Sequence, residues 1–241
     1  MKHRTVAGKI RYTSVKPGME GQERGREWFT FTHHTDGSTI LRAQCEIEEP
    51  DPTVLRDITY HLAPGMVPHN LHVHLTVGDM FMGSGWMHHD AETGVVTCES
   101  FGPSIGRLSQ QMKVGAFDAF GTHPVVADAY LGRKMDISKG PHRRNMRCFL
   151  PSPDHRGATP PMIAEVNITL EYVGDEEKTV AAGTIACRHF RFVDESDHGM
   201  GGTKHPAYDI WATADDDCIL VYASIDGYMM NRYELVEFHR D

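Results

Sequence analysis

Apolar and polar residues alternate with a period of two along most of the chain. Between residues 162 and 173 every second side chain is apolar, while Glu165, Asn167 and Glu171 occupy positions between them. This alternation is typical of a half-buried antiparallel strand. Runs with similar strand character are residues 28–32, 39–47, 54–62, 71–77, 81–88, 95–99, 184–193, 208–213, 219–225 and 229–238.

Turn-forming dipeptides separate many of these runs. They are Asp36-Gly37, Gly78-Asp79, Thr93-Gly94, Gly174-Asp175 and Asp226-Gly227, and each suits a short connection between antiparallel strands. We therefore predict an all-β, mainly antiparallel fold, built as one large curved sheet or as a barrel-like half-barrel.

The alternation stops between residues 101 and 161, where Gly, Pro, Ser and basic residues dominate. Thr122 and Pro124 precede an apolar run, which predicts a helix of two to three turns over residues 122–131. Residues 139–161 are expected to form a long loop. The flanking sheet halves, 5–100 and 162–239, are each too small to bury much core, so we expect one domain over residues 1–241.

The second half carries four segments typical of a curved sheet: 180–184 as a hairpin, then 188–192, 208–211 and 233–235. With them, residues 162–238 resemble bacterial curved-sheet proteins similar to the outer-membrane lipoprotein carriers. The resemblance implies an antiparallel sheet wrapped around an apolar cavity.

Composition excludes several classes of partner. The net charge of −9 opposes binding to nucleic acid or to an anionic membrane, and no apolar run approaches the ~18 residues of a membrane span. The N-terminus does not have the pattern of a signal peptide. Five widely spaced cysteines without a Cys-x-x-Cys pair argue against disulfides and zinc ribbons, so we expect a cytoplasmic protein.

Histidine is over-represented, with 16 residues. His72 and His74 have the same strand parity and would project from one face, a geometry that allows two imidazoles to share a metal ion. No third ligand is specified by the sequence, and a polar strand face is the alternative. We expect no cofactor, since no nucleotide-binding motif is present, and a divalent metal at this pair is the alternative.

Two further groups of residues are candidates for a site. Trp86 and His88 share strand parity and would form an aromatic wall with a polar group beside it, with Tyr60 and Gln111 as further substrate contacts; a buried Trp86 in the core is the alternative.

The second group combines His123 with a carboxylate. At a helix start the dipole would favour a neutral imidazole that acts as a base, with Asp128 or Glu99 as its partner and Arg107 stabilising developing negative charge. The alternative is that His123 caps the helix and Asp128 faces solvent.

Seven other histidines are expected at the surface, in turns, loops or near the chain ends: His3, His33, His34, His155, His198, His205 and His239.

Three functions follow from these patterns. The first is a lyase, hydratase or isomerase that performs acid–base chemistry on a small hydrophobic molecule in an apolar barrel cavity. The second is a non-catalytic protein that binds a lipophilic ligand, and the third is a metal-dependent enzyme that uses His72 and His74. The free edges of an unclosed sheet would favour a homodimer.

Overall fold

The protein is described by a computed structural model over residues 3–195 and 203–241. One sheet contains all the strands assigned in these residues. In chain order the strands are β1 Arg4–Ser14, β2 Glu23–His33, β3 Thr39–Ile47, β4 Val54–Ala63, β5 Val67–Val77, β6 Met80–Asp90, β7 Val95–Gly102, β8 Gly106–Lys113, β9 Ala119–Phe120, β10 His142–Leu150, β11 Ala164–Val180, β12 Gly183–Val193, β13 Tyr208–Thr213, β14 Leu220–Ile225 and β15 Asn231–Arg240.

The sheet consists of two arms that meet where the chain begins and ends. From this junction, β1 to β8 form the N-terminal arm and β15 back to β9 form the C-terminal arm, each with neighbours in sequence order. The junction is the antiparallel pair β1–β15, in which Tyr12 lies opposite Tyr233. Neighbouring strands are antiparallel except β9 and β10, which run parallel. The predicted mainly antiparallel fold is therefore confirmed.

The sheet curves without closing. Its two edge strands, β8 and β9, are not hydrogen-bonded to each other, but side chains bridge the two arms. The hydroxyl of Tyr60 on β4 accepts a hydrogen bond from the backbone N–H of Phe120 on β9, at 3.1 Å. Gln110 on β8 accepts one from the backbone N–H of Ile163, just before β11, at 3.0 Å. The result is an unclosed, barrel-like sheet.

The residues between β9 and β10 fold into the core. They form the helix α1, Val126–Tyr130, followed by short 3₁₀ turns at Leu131–Lys134 and Ile137–Lys139; a third 3₁₀ turn, Pro64–Met66, joins β4 to β5. Val126 is fully buried, and the ring of Tyr130 stacks on Phe31 of β2 at a centroid distance of 4.7 Å. The helix thus covers apolar side chains that the curved sheet alone would leave open to solvent.

The central region contains more sheet than the sequence predicts. β8 and β10 both lie within residues 101–161, where we expected an insert without strands. β8 is an edge strand exposed along most of its length, so alternation of apolar residues is not required there. β10 buries Met146, Cys148 and Phe149 between β9 and β11, so the expected loop over 139–161 is confined to its ends.

Two local predictions are also corrected. The helix expected over residues 122–131 is only five residues long and starts at Val126. Gly174 does not end a strand, because β11 continues to Val180 with a bulge between Tyr172 and Gly174. Bulges of this kind bend a strand and strengthen its twist. The predicted hairpin at 180–184 is confirmed, with Val180 paired to Gly183.

Candidate functional site

A cavity of about 420 Å³ lies between the central region and the C-terminal arm. Its walls come from β1 to β3 and β10 to β15, from α1 and the segment that leads into it, and from the loop of residues 151–163 between β10 and β11, called here the 151–163 loop. Much of its surface is apolar, contributed by Val125, Leu131, Leu150, Val166, Ile168 and Ile225. This size and character are typical of a pocket for a small organic molecule.

One wall of the cavity is a row of aromatic rings. Neighbouring rings in the row have centroids 4.8–6.2 Å apart. At one end lies Tyr228, which is 50% exposed, and at the other Tyr12, which is 3% exposed. The row therefore runs from the surface to the buried inner end of the cavity. Its members, in order, are Tyr228, His155, His205, Tyr208, Tyr233 and Tyr12.

Several polar atoms around the cavity are buried without a hydrogen-bond partner among the described residues. They include Nε2 of His123, both ring nitrogens of His155 and the hydroxyl of Tyr208. Buried polar groups are normally satisfied, and leaving one bare costs ~1–3 kcal/mol. Their concentration around one cavity indicates groups that a ligand or ordered water would satisfy.

The helix that carries Asp128 is held by a buried carboxylate on β2. Glu27 accepts hydrogen bonds from the backbone N–H groups of Val125 and Val126, at 2.7 and 3.1 Å, and from the hydroxyl of Tyr12, at 2.6 Å. Burial raises the pKa of Glu27 to about 7, although these donors partly oppose the shift. Glu27 fixes where the helix begins, and thereby where Asp128 enters the cavity wall.

The two sequence-predicted titratable residues that line the cavity are shifted in opposite directions. Burial raises the pKa of Asp128 well above its ordinary value, and the nearby Glu27 adds to this rise. Burial lowers the pKa of His123 well below its ordinary value, and the charge of Arg56 adds to this fall. Burial therefore favours the protonated form of Asp128 and the neutral form of His123.

His123 and Asp128 do not form the expected dyad. No hydrogen bond or ion pair joins them in the described parts of the chain, and the charges that act on them come from different neighbours. His123 has a positive φ of 69° and precedes the helix N-cap, Val125. Burial, rather than the helix dipole, is therefore the main cause of its lowered pKa.

Two basic residues of the cavity wall, Lys16 and Arg24, are balanced by a carboxylate and an amide. Lys16 pairs with Glu49 at 2.9 Å. Arg24 lies 3.6 Å from the same carboxylate and also donates hydrogen bonds to Asn231 and to the backbone carbonyl of Glu49. These guanidinium and ammonium groups fix the wall where β1, β2 and β15 meet, and they are not free counter-ions for a ligand.

The N-terminal arm holds the 151–163 loop in place through Arg56. This β4 side chain is 1% exposed and donates hydrogen bonds to the carbonyls of Arg156, at 3.0 Å, and Gly157. Within the loop, Asp154 accepts a hydrogen bond from the backbone N–H of Ala158 at 2.8 Å. These bonds position the segment that contributes Asp154, His155 and Arg156 to the cavity.

The metal-site candidates lie on the other side of the sheet. His72 and His74 do share one strand face, but that face is exposed, while Leu71, Val73 and Leu75 face the core. Among the described residues, no group of three or more His, Cys, Asp or Glu side chains has the geometry to hold a metal ion. The structure therefore supplies no third ligand for the pair.

The predicted aromatic wall also lies outside. Trp86 is 36% exposed on the outer face of β6, with the His88 ring 5.9 Å away and His72 opposite it on β5. Neither Trp86 nor His88 lines the cavity. These residues and His123 therefore do not converge on one concavity.

The remaining candidates are likewise separate from the cavity. Glu99 accepts a hydrogen bond from the hydroxyl of Ser109 at 2.5 Å and lies 3.4 Å from the exposed Arg107. Gln111 is exposed on the edge strand β8. Tyr60 is buried beside Phe120 and bonds its backbone. Glu99, Ser109 and Arg107 form an outer cross-strand cluster. Tyr60 helps to hold the two arms together.

Sequence reasoning missed several residues that line the cavity. His155 and His205, expected at the surface, line the cavity, as do Tyr208 and Tyr233; His198 lies outside the described residues. An available signal was the presence of tyrosines at inward positions of β1, β13 and β15. That signal becomes specific only when the strand order is known, because residues 12, 208 and 233 are distant in sequence.

Comparisons with known proteins support the architecture. No protein-family model and no curated protein matches the chain. Among solved structures, it is similar to a beta-barrel-like protein of a domain of unknown function, DUF1849, from Brucella abortus, with 12% identity, a TM-score of 0.60, and 99% of this chain and 97% of that chain covered. A DUF1089 family protein from Pseudomonas aeruginosa matches with 9% identity and a TM-score of 0.43, over 83% of this chain and 89% of that chain.

The first of these likenesses shows a shared β-barrel-like fold. It agrees with the curved sheet that the resemblance of residues 162–238 implied, without identifying a lipoprotein carrier. No helix in the described residues is long and apolar enough to span a membrane.

Proposed function

We propose that this protein binds a small lipophilic molecule in the cavity of the C-terminal arm. The observation that carries the proposal is the cavity itself, which has a volume of about 420 Å³ and a largely apolar wall. A void of this size is far larger than the packing defects of ordinary cores. An occupant would recover the contacts that the lining side chains lack.

The polar groups of the cavity wall favour a ligand that carries polar atoms as well as an apolar body. Ligand pockets combine an apolar lining with a few placed polar groups that fix the orientation of the ligand. Asp128, His123 and Tyr208 are placed in this way, with the last two carrying bare polar atoms. A lipophilic molecule with one or two polar atoms fits this lining better than a pure hydrocarbon.

The test uses the hydrocarbon fluorophore diphenylhexatriene, which emits only in apolar surroundings. Val166→Trp places an indole in the cavity from β11 and should reduce dye binding at least tenfold. Asn167→Trp is the matched control, because residue 167 is adjacent on the same strand and exposed. Native mass spectrometry of freshly purified protein should also detect a co-purified lipophilic molecule. Equal dye binding by both variants would contradict the proposal.

Acid–base catalysis is a second candidate, favoured by one observation. His123 and Asp128 line the same cavity, and burial favours the neutral imidazole and the protonated carboxyl, which are the forms that a general base and a general acid need. This candidate predicts that the protein accelerates α-proton exchange of methyl nonyl ketone in D₂O and that His123→Ala abolishes the acceleration. Exchange at the buffer rate would exclude this role for His123 toward this ketone.

A further inference from the structure

The inner end of the cavity presents two hydrogen-bonding groups that nothing in the described protein satisfies. Tyr208, on β13, is 3% exposed, and its hydroxyl has no partner. Asp128, on α1, makes no side-chain hydrogen bond or ion pair with any described residue. Both side chains line the cavity, and they lie close enough for the charge of Asp128 to influence the pKa of Tyr208.

We propose that Asp128 and Tyr208 form a subsite that donates hydrogen bonds to an uncharged oxygen, such as a carbonyl, of the lipophilic ligand. This inference rests on the proposed binding function and specifies the class of ligand. A protonated carboxyl and a phenol each supply one O–H donor. A carbonyl oxygen has two lone pairs, so it is able to accept both.

The surroundings of the subsite favour a neutral group over an anion. The carboxyl of Glu27 lies near Asp128 and is already engaged by Tyr12 and by the start of the helix. Of the cavity's cations, Lys16 and Arg24 are paired with Glu49, and Arg156 donates hydrogen bonds to the backbone carbonyls of Pro50 and Pro52. An anionic ligand at the subsite would therefore bring its charge toward two carboxyl groups, while these cations are already engaged elsewhere.

A cationic ligand is disfavoured for a different reason. To pair with it, Asp128 would have to ionise among apolar side chains, although burial already favours its protonated form. Taking an ammonium group out of water adds a further desolvation cost, which the ion pair must offset. A neutral oxygen needs neither change. An apolar site that keeps a carboxyl protonated, so that it donates a hydrogen bond, is a known arrangement.

The test compares ligands of one chain length that differ in their polar group. Methyl nonyl ketone, undecylamine and undecanoate compete against bound diphenylhexatriene at neutral pH. In the wild-type protein the ketone should displace the dye at the lowest concentration. Tyr208→Phe and Asp128→Ala should each weaken the ketone about fivefold to tenfold, the factor that one lost hydrogen bond gives. Asp128→Asn retains an N–H donor and should restore most of that loss.

The controls separate a binding role from a structural one. Tyr222→Phe and Asp216→Asn make the same chemical changes outside the cavity and should leave displacement by the ketone unchanged. Removing an unpartnered buried hydroxyl does not break a protein hydrogen bond, so ligand-free Tyr208→Phe should melt at or above the wild-type temperature. A large loss of stability would instead assign Tyr208 a structural role and overturn the subsite.

The outcomes also separate this inference from the proposed function. If the dye binds and Val166→Trp blocks it, while the ketone displaces the dye equally well from the wild type and all subsite variants, the cavity binds lipophilic molecules but the carbonyl subsite is wrong. Stronger displacement by undecylamine or undecanoate than by the ketone would also reject the subsite. If Val166→Trp leaves dye binding unchanged, the proposed function itself fails.

Discussion

The two arms of the sheet place their polar chemistry on opposite sides. In the N-terminal arm, His72, His74 and Trp86 lie on the outer face, while the inner face packs densely around Leu71 and its neighbours. A void of only about 10 Å³ lies beside Tyr60. A cavity of about 420 Å³ lies between the C-terminal arm and the central region, and bare polar atoms line it.

The difference shows that a high density of histidine in the sequence does not locate the site. An exposed histidine is hydrated and needs no partner, so its presence carries little information about ligands. A buried hydroxyl or imidazole without a partner lowers stability, and where such a group lines a cavity a ligand is able to reach and satisfy it. The unsatisfied groups of the C-terminal arm are therefore stronger evidence for function than the clustered histidines of the N-terminal arm.

The largest expected effect concerns packing in the two arms. Leu71→Ala removes a fully buried side chain from the dense core and should lower the free energy of unfolding by about 3 kcal/mol, as core truncations do. Leu150→Ala truncates a side chain that borders the cavity and should cost about 1 kcal/mol, because it makes fewer contacts. Urea denaturation of both variants measures this difference. Equal losses would contradict the contrast between the arms.

A second prediction addresses the contact that joins the arms. Gly157 has a φ of 62°, and a Cβ at this position would overlap the guanidinium of Arg56. Gly157→Ala should therefore cost more than about 2 kcal/mol and should weaken dye binding by displacing the 151–163 loop. Gly140→Ala is the matched control, since its φ of 67° is similar and its Cβ would meet open space. Equal melting temperatures for the two variants would show that the Arg56 contact does not hold the loop.

Glu27 gives the third prediction, a dependence of stability on pH. The folded protein binds the Glu27 proton more tightly than the unfolded chain does, with a pKa of about 7 against an ordinary value of 4.5. Stability from this group is therefore present below about pH 4.5 and is lost as the pH rises to about 7. Between pH 5 and 7 the loss should be about 2 kcal/mol.

The measurement is the free energy of unfolding from pH 5 to 7 for the wild type and for Glu27→Gln, which removes the titration. The free energy of unfolding of the wild type minus that of Glu27→Gln should fall by about 2 kcal/mol from pH 5 to pH 7. Other titrating groups are present in both proteins and largely cancel in this difference. Glu92→Gln, at an exposed turn, should follow the wild type. A constant difference between wild type and Glu27→Gln would show that the pKa of Glu27 is not raised.

The strands were largely predictable because their alternation reflects burial on one face. Residues 39–47, for example, match β3, in which Leu41, Ala43 and Cys45 face the core. β8 was not predicted because an edge strand has no buried face to impose a pattern. The bulge at Gly174 has the same composition as a turn, and only the register with β12 distinguishes the two.

The site was predictable only in part, because strand order brings together residues that are distant in sequence. His123 and Asp128 were selected for their local context, and both line the cavity. Tyr12, Tyr208 and Tyr233 meet only because β1 pairs with β15 and β13 follows next but one in the sheet.

The smallest effect is expected at the histidine pair of the N-terminal arm. The double variant His72→Ala/His74→Ala changes exposed side chains, so its free energy of unfolding should stay within about 0.5 kcal/mol of the wild type. A metal bound specifically at the pair would stabilise the folded state by mass action, and the double variant would lose that stabilisation. Since the described residues provide no third ligand, added Zn²⁺ should shift the melting temperature of both proteins equally. A rise in the wild type alone would restore the pair as a metal site and would place functional chemistry on the outer face as well as in the cavity.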